Sequence, residues 1–273
     1  MHHSQFTFLQ MNIETLRNIG KQLRQEIPPL AVKPHGTAPI GKGAGGDMTF
    51  AVDKKAEEII FKEIEKLNEP VTLVSEEHGI KDIKGGGPNI LIDPIDGSKN
   101  AVSGIPFFST SIAIVNGDTL GHISMGYVIN LINGDEFWAE KGKGSFLNGV
   151  PVRTQEDEVL NVIAYEAQTP KVHIPEILPL LSLFRRTRCL GSTALDLALL
   201  AAGAVSVFVA PAPSRSFDHA AGYLLVREAG GIITDLNGED IDSVPVGIKR
   251  TVALLASGNK KLHFKALAAL KRS

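Results

Sequence analysis

The sequence is poor in cysteine and in aromatic residues. It has one cysteine and one tryptophan in 273 residues, and Phe, Trp and Tyr together make up 6%. A single cysteine excludes an internal disulfide framework and is typical of a reducing compartment. Because Cys189 stands next to Leu190 in an apolar stretch, we expect a buried thiol and not a nucleophile.

Strong net charge and long hydrophobic runs are also missing. The formal net charge is -2, and no basic run favours binding to nucleic acid or to a membrane surface. No apolar run approaches the ~20 residues that span a bilayer. The N-terminus has no signal-like apolar segment. We therefore expect a cytoplasmic protein that binds neither nucleic acid nor membrane.

The residues that are present predict an α/β protein. A hydrophobic content of 43% and a charged content of 21% are those of a globular chain. Helical spacing of apolar residues predicts helices at about 12–27 and 53–67. Between 107 and 149, Asn116-Gly117 and Asn133-Gly134 separate apolar runs, which indicates an antiparallel meander. The second half alternates strands and helices. We expect an α+β part over 1–150 and an α/β part over 151–273.

Two finer expectations concern proline-containing segments of the second half. Pro175 is expected to open a helix that ends near Leu183. The stretch Pro211–Ser216 is expected to form a loop between a strand over 205–209 and a helix over 217–229.

The stretch from Lys33 to Asp47 is rich in glycine and contains two prolines. It fits an exposed linker. It equally fits a mobile lid that closes over a reaction, since such lids come from segments of low local stability. Lys42 would be the charged tip of this lid.

The most informative stretch runs from Asn89 to Asn100. The apolar residues up to Ile92 predict a short buried strand, which Pro94 is expected to end. Asp93 and Asp96 flank this turn, and Gly97-Ser98 follow with backbone N–H groups that suit a phosphate. Alone, the segment is equally well an ordinary turn or a site for a hard cation that holds a phosphate.

Other carboxylates favour the cation site. Asp53, Glu76 and Asp218, like Asp93 and Asp96, fall at the edge of an apolar element. Each alone is equally well a helix cap or a turn residue. Together, without histidine or cysteine beside them, they suit the all-oxygen shell that Mg²⁺ prefers.

The sequence resembles the inositol monophosphatase family of Mg²⁺-dependent, lithium-sensitive sugar phosphatases, over nearly the whole chain. Four segments carry the resemblance: Gly46-Asp47-Met48-Thr49 through Asp53, Ser75-Glu76-Glu77, Asp93 to Ser98, and Phe217-Asp218 with Ala221-Gly222 and Glu228 to Gly231. The resemblance implies a layered αβαβα sandwich, a homodimer, and hydrolysis of a small phosphate monoester by metal-activated water.

The resemblance also implies roles for individual residues. Two to three Mg²⁺ ions would be held, in order, by Glu76, Asp93 and the carbonyl of Ile95, by Asp93, Asp96 and Asp218, and by Asp53 with Glu76. Asp53 and Ser98, with Glu76, would serve catalysis by positioning and activating the attacking water. Substrate would contact Asp96, the amides of Gly97 and Ser98, Arg188, Gly191, Ser192, Thr193 and Arg215. Lys42 matches a lysine of the mobile loop.

The chain departs from the family pattern at the substrate. Where animal members carry a glutamate that grips inositol, Pro211 stands here, and Phe217 replaces the usual tryptophan. Arg215 looks like archaeal-type members that also act on fructose 1,6-bisphosphate, because an arginine grips a second phosphate. It is equally well a solvated cation. Three functions stay open: a phosphatase for inositol 1-phosphate and fructose 1,6-bisphosphate, a 3'-phosphoadenosine 5'-phosphate phosphatase, and a non-catalytic metal- or phosphate-binding homologue.

Overall fold

The computed structural model describes residues 11–31 and 38–271. The α-helices are α1 Ile13–Glu26, α2 Pro28–Ala31, α3 Ala51–Leu67, α4 Ser98–Ser103, α5 Pro170–Leu181, α6 Thr193–Ala201, α7 Ser216–Glu228 and α8 Lys260–Leu270, with a 3-10 turn at Leu120–His122. The strands are β1 Gly41–Lys42, β2 Met48–Thr49, β3 Val71–Ser75, β4 Gly79–Ile83, β5 Asn89–Asp96, β6 Ser109–Val115, β7 Ile123–Asn130, β8 Glu136–Glu140, β9 Gly144–Leu147, β10 Val150–Val152, β11 Val162–Tyr165, β12 Arg186–Arg188, β13 Val207–Arg215, β14 Ile232–Thr234 and β15 Arg250–Ser257.

The strands form two large sheets and one short hairpin. The first sheet has the order β10-β9-β8-β7-β6-β5-β3-β4, and β6 to β10 pair as the predicted antiparallel meander. The second sheet has the order β12-β11-β13-β15-β14. β1 and β2 pair with each other as a separate two-stranded hairpin.

Helices and sheets stack in five layers, which confirms the αβαβα sandwich. Apolar residues of α1 and α3 pack on one face of the first sheet, and α6 and α7 lie between the two sheets. Helices α5 and α8 cover the outer face of the second sheet. In β5, Ile90 and Ile92 face the outer core while Leu91 faces the central one, because side chains alternate along a strand. Both faces are buried, so the strand reads as continuously apolar.

The central core joins residues from both sides of the predicted boundary at residue 150. Val128 and Phe137 of the first sheet share it with Phe208 of the second sheet and Phe217 of α7. The division into parts over 1–150 and 151–273 stays a prediction. Among the described residues, no helix combines the length and the apolar character needed to cross a membrane.

Several local predictions are wrong at prolines. Strand β5 does not end at Ile92 but continues through Pro94 to Asp96, and its ladder with β6 is interrupted between Asp93 and Asp96. Pro94 therefore lies where no ladder hydrogen bond is required of it. Helix α5 begins at Pro170, not Pro175, because the first helical position needs no N–H donor.

The predicted loop Pro211–Ser216 is wrong in the same way. Residues up to Arg215 belong to β13, and Ser216 already opens α7. Register with β15 is lost between Ala210 and Ser214, so both prolines of this stretch fall within the interruption. The sequence also gave no signal for the edge strand β4.

Cys189 is exposed, so the predicted buried thiol is wrong. It follows β12, the edge strand of the second sheet, whose three residues are all exposed. The prediction relied on the apolar neighbour Leu190, but burial at this point depends on whether another strand covers the edge of the second sheet.

Candidate active site

A cavity of about 520 Å³ opens where β3 and β5 of the first sheet end and where β13 leads into α7. Carboxyl ends of strands are where α/β proteins commonly bind ligands. The cavity brings together side chains that are distant in sequence, and its acidic lining residues are Asp47, Glu76, Glu77, Asp93, Asp96, Glu166 and Asp218.

Asp93 and Asp96 reach the cavity from the interrupted end of β5. Thr110 Oγ1 donates a hydrogen bond of 2.7 Å to the carbonyl of Pro94, which fixes the segment between the two aspartates. Asp93 is 3% exposed, and its Oδ1 accepts no hydrogen bond from any described residue. A buried carboxylate oxygen without a donor is costly unless a ligand satisfies it.

Asp96 ties this segment to the second half of the chain. Its Oδ2 accepts hydrogen bonds from Ser192 Oγ at 2.6 Å and from the backbone N–H of Ala194 at 2.7 Å. Ser192 is the residue that caps α6, so Asp96 lies at the N-terminus of this helix. A carboxylate at a helix N-terminus is stabilised by the unsatisfied N–H groups there.

Gly97 and Ser98 follow Asp96 at the start of α4. Gly97 has φ 94°, and a Cβ on it would lie 2.9 Å from the carbonyl oxygen of Gly191. Both the backbone conformation and the close approach therefore require glycine. Ser98 Oγ lies 2.7 Å from Asp53 Oδ1 and 2.8 Å from the carbonyl oxygen of Ile95. Its single proton serves one of these acceptors at a time.

Asp53 lies behind Ser98 and does not line the cavity wall itself. It occupies the first turn of α3, where its Oδ2 accepts a 2.7 Å hydrogen bond from the backbone N–H of Phe50. It is 1% exposed. The dual contact fixes the orientation of its Oδ1 toward Ser98.

Burial raises the pKa values of the five carboxyls predicted as metal ligands, which are Asp53, Glu76, Asp93, Asp96 and Asp218. Desolvation raises the pKa of Asp53 to about 6, against the hydrogen bonds from Ser98 and Phe50, and raises that of Asp218 to about 6. Burial raises the pKa of Asp96 to about 7. The pKa values of Glu76 and Asp93 rise well above their usual range, first through burial and then through repulsion from neighbouring carboxylates.

These carboxyls fit a bound cation by their chemistry. They repel one another, they are withdrawn from water, and Asp93 keeps an orphaned oxygen. A bound divalent cation reduces the repulsion, replaces the lost hydration and satisfies the orphaned oxygen. In the described part of the chain, no three acidic, histidine or cysteine side chains are grouped as a ready-made cage. A cation here would therefore complete its shell with water or a ligand.

Glu76 meets Arg215 across the cavity. Arg215 Nη1 lies 3.3 Å from Glu76 Oε1, and its Nη2 donates to the carbonyl of Gly45 and to Asp47 Oδ2, both at 2.6 Å. The Arg215 side chain is only 4% exposed. The interpretation of Arg215 as a solvated loop cation is therefore wrong.

The hairpin β1–β2 is docked against these residues. The backbone N–H groups of Ala44 and Gly45 donate to the carbonyls of Glu77 and Glu76 at 3.0 and 2.8 Å. Residues 33–37 of the predicted glycine-rich lid lie outside the described residues. Lys42, its predicted tip, lies in β1, is exposed, and is not among the described residues that line the cavity.

The remaining predicted substrate residues divide into two groups. Gly191 and Thr193 line the cavity, and Ser192 lies behind them on Asp96. Arg188 is exposed on β12, donates to its neighbour's carbonyl at Thr187, and does not belong to the described cavity wall.

Sequence reasoning assigned no role to five charged residues of the wall, namely Asp47, Glu77, Lys99, Glu166 and Arg250. Glu166 follows β11 directly, and its Oε1 is buried without a donor among the described residues. Its position at a strand end was a usable signal, identical to that of Glu76. Asp47 belongs to a segment already singled out for its resemblance. Arg250 had no signal, because its contact with Asp47 joins residues 203 positions apart.

The five-layer fold and this acid-lined cavity define a layered α/β sandwich of the sugar phosphatase type. The sequence matches the inositol monophosphatase family over residues 5–273. The chain belongs to the inositol monophosphatase family, a family of phosphoric monoester hydrolases.

Individual relatives agree with this assignment. The fructose-1,6-bisphosphatase/inositol-1-monophosphatase of Methanothermobacter thermautotrophicus is 33% identical over 264 residues, which cover 93% of this chain and 94% of the relative. The bifunctional NADP phosphatase/NAD kinase of Methanococcus maripaludis is 31% identical over 278 residues, covering 93% of this chain and 48% of that longer protein. A solved inositol monophosphatase-fructose 1,6 bisphosphatase superposes with a TM-score of 0.82 at 28% identity, covering 94% of this chain and 98% of the other.

Proposed function

We propose that this protein is a Mg²⁺-dependent phosphomonoesterase that hydrolyses small polyol and sugar phosphates, inositol 1-phosphate and fructose 1,6-bisphosphate among them. The observation that carries the proposal is the buried carboxylate of Asp93, whose Oδ1 has no donor among the described residues, beside the Gly97-Ser98 turn. The relative named fructose-1,6-bisphosphatase/inositol-1-monophosphatase supports the choice of substrates.

The ligands proposed for two to three Mg²⁺ ions follow the resemblance. They are Glu76, Asp93 and the carbonyl of Ile95 for one ion, Asp93, Asp96 and Asp218 for a second, and Asp53 with Glu76 for a third. When bound, such ions lower the pKa of a coordinated water and stabilise charge on the leaving oxygen.

The residues around Ser98 would prepare the attacking water. Ser98 Oγ accepts a proton from this water while its own proton is directed to Asp53 Oδ1 at 2.7 Å. Asp53 is held in place by the N–H of Phe50, so the acceptor does not rotate away. Asp53 is therefore the proton acceptor that the geometry offers to Ser98.

The phosphate and the alcohol part would bind to different segments. Gly97 and Ser98 line the cavity at the start of α4, and their amides would bind phosphate oxygens. Gly191, Ser192 and Thr193 would approach the alcohol part, whereas Arg188, to which the resemblance gives the same role, is exposed outside the described cavity wall. Arg215 would contact a second phosphate. No cysteine or histidine of the described cavity wall is available to form a covalent intermediate.

The test is phosphate release in the presence of Mg²⁺ from inositol 1-phosphate, fructose 1,6-bisphosphate and 3'-phosphoadenosine 5'-phosphate, measured side by side. We expect turnover of the first two. Ser98→Ala should lower kcat about a hundredfold, since it removes the water-positioning hydroxyl, whereas Ser103→Ala, at the exposed end of the same helix, should change nothing. Equal activity of the two variants would refute the role of Ser98.

Turnover confined to the nucleotide would replace the sugar-phosphatase proposal by the nucleotide alternative. Absence of release from all three substrates, with Mg²⁺ still bound, would favour the non-catalytic homologue. The homodimer that the resemblance implies is proposed as well, and a monomer in sedimentation would contradict it. The cytoplasmic location stays a prediction from composition.

A further inference from the structure

Asp47 lies between two arginines at the rim of the cavity. Its Oδ2 accepts hydrogen bonds from Arg215 Nη2 at 2.6 Å and from Arg250 Nη2 at 3.1 Å. Asp47 belongs to the loop of the β1–β2 hairpin, while the two arginines belong to the second sheet. One carboxylate oxygen from a separate hairpin thus joins two guanidinium groups.

The second sheet places the two arginines next to each other. Arg215 in β13 and Arg250 in β15 are directly opposite in the antiparallel register. Like charges directly opposite each other repel, so an anion between them is favourable. Both side chains line the same cavity as Asp93 and Ser98.

Asp47 does not use all the hydrogen-bond donors of the two arginines. Arg215 Nε is buried and finds no acceptor among the described residues. A guanidinium is a planar fork that binds phosphate through two parallel N–H groups, whereas Asp47 uses one oxygen for both arginines. The Asp47 side chain is 56% exposed, so water hydrates its carboxylate when it leaves the arginines.

We propose that Arg215 and Arg250 form the binding site for the second phosphate of a bisphosphate substrate, and that Asp47 fills this site as an internal competitor in its absence. The inference rests on the proposed phosphatase function and extends it to the choice between monophosphates and bisphosphates. Arg250 is then a specificity-determining residue, and Asp47 sets how tightly bisphosphates bind.

Arg250 is a cleaner residue to change than Arg215. Arg215 also contacts Glu76 and the carbonyl of Gly45, so its loss disturbs the acidic wall and the hairpin. Arg250 is 35% exposed, and its other contacts are Gln168 Oε1 at 3.0 Å and the carbonyl of Pro213 at 3.3 Å. Neither belongs to the proposed metal ligands.

The test compares fructose 1,6-bisphosphate with inositol 1-phosphate as substrates of Arg250→Gln and Asp47→Asn. Arg250→Gln should raise the KM for the bisphosphate about tenfold relative to that for the monophosphate, as expected for one charge-assisted contact. Asp47→Asn should lower the same ratio by about fivefold, since the competing anion is gone. The control is Arg227→Gln, because Arg227 pairs with Asp240 and Asp242 outside the cavity.

Opposite signs for the two variants are the expected result. An unchanged KM ratio in Arg250→Gln, in an enzyme that still releases phosphate from both substrates, would overturn this inference and leave the proposed function standing. If wild-type protein releases phosphate from neither, calorimetric binding of fructose 1,6-bisphosphate and fructose 6-phosphate replaces the kinetics. An affinity for the bisphosphate that is unchanged by both substitutions would then overturn the inference, independently of the missing activity.

Discussion

The two sheets supply opposite charge to one cavity. Strands β3 and β5 of the first sheet lead to Glu76, Asp93 and Asp96, whereas the paired strands β13 and β15 of the second sheet carry Arg215 and Arg250. Glu166, at the end of β11, is an acidic exception on the second side. The difference teaches that most acidic and basic side chains of the cavity come from separate layers of the fold.

The acidic wall is expected to give the largest effect when it is changed. Asp93→Asn removes the carboxylate whose Oδ1 has no described donor, so kcat should fall roughly a thousandfold, equivalent to about 4 kcal/mol of transition-state stabilisation. The same change removes a buried repulsive charge, so Tm without metal should rise. Asp118→Asn, whose side chain is 92% exposed, is the control.

The change in kcat and the change in Tm of Asp93→Asn both test whether the acidic wall binds a cation. Retention of full kcat in Asp93→Asn would show that this carboxylate holds no catalytic ion. A fall in the Tm of the metal-free variant would show that Asp93 is stabilised by a contact other than the proposed cation.

The next effect concerns pH in the absence of metal. The pKa values of Asp53 and Asp218 are raised to about 6 and that of Asp96 to about 7, whereas unfolded carboxyls titrate near 4. Between these values the folded state binds more protons than the unfolded state, so stability falls as pH rises from about 4 to about 7. Differential scanning calorimetry of chelated protein should show Tm falling over this window.

Mg²⁺ should reverse this loss, and more strongly at about pH 7.5 than at about pH 5, because the ion binds the deprotonated carboxylates. A metal-free Tm that rises with pH would mean that the buried carboxyls are stabilised by nearby cations such as Arg215, and that the two walls neutralise each other directly.

The prediction with the smallest effect concerns an exposed cation. Arg188→Gln should change the KM for inositol 1-phosphate by less than about threefold, because Arg188 is exposed on an edge strand away from the described cavity wall and exposed charge contacts contribute little. Steady-state kinetics against wild type decides the question. A tenfold rise in KM would restore the substrate role that the sequence resemblance implies for it.

Local sequence was sufficient where a few consecutive residues determine the geometry. The segment from Asp93 to Ser98 has its glycine where φ is positive, and Ser192 caps α6 as its position before an apolar helix predicts. These two features depend on neighbours in the chain, so a sequence reveals them. The five layers were implied instead by the resemblance to the inositol monophosphatase family.

Contacts between distant segments were not predictable. The bridge from Asp47 to Arg215 spans 168 positions and that to Arg250 spans 203. The exposure of Cys189 depends on β12 being an edge strand. Pro94 and Pro211 stay within strands because each ladder is interrupted beside them, and such an interruption is a property of the partner strand as well.

The bridge at Asp47 has a consequence for how such enzymes diversify. The residue that competes for the arginine pair stands on a two-stranded hairpin outside both large sheets, and its side chain packs in none of the three cores. A substitution at this one position would therefore shift substrate preference without replacing any of the proposed metal ligands. Substrate choice and the apolar cores of the fold then depend on different residues.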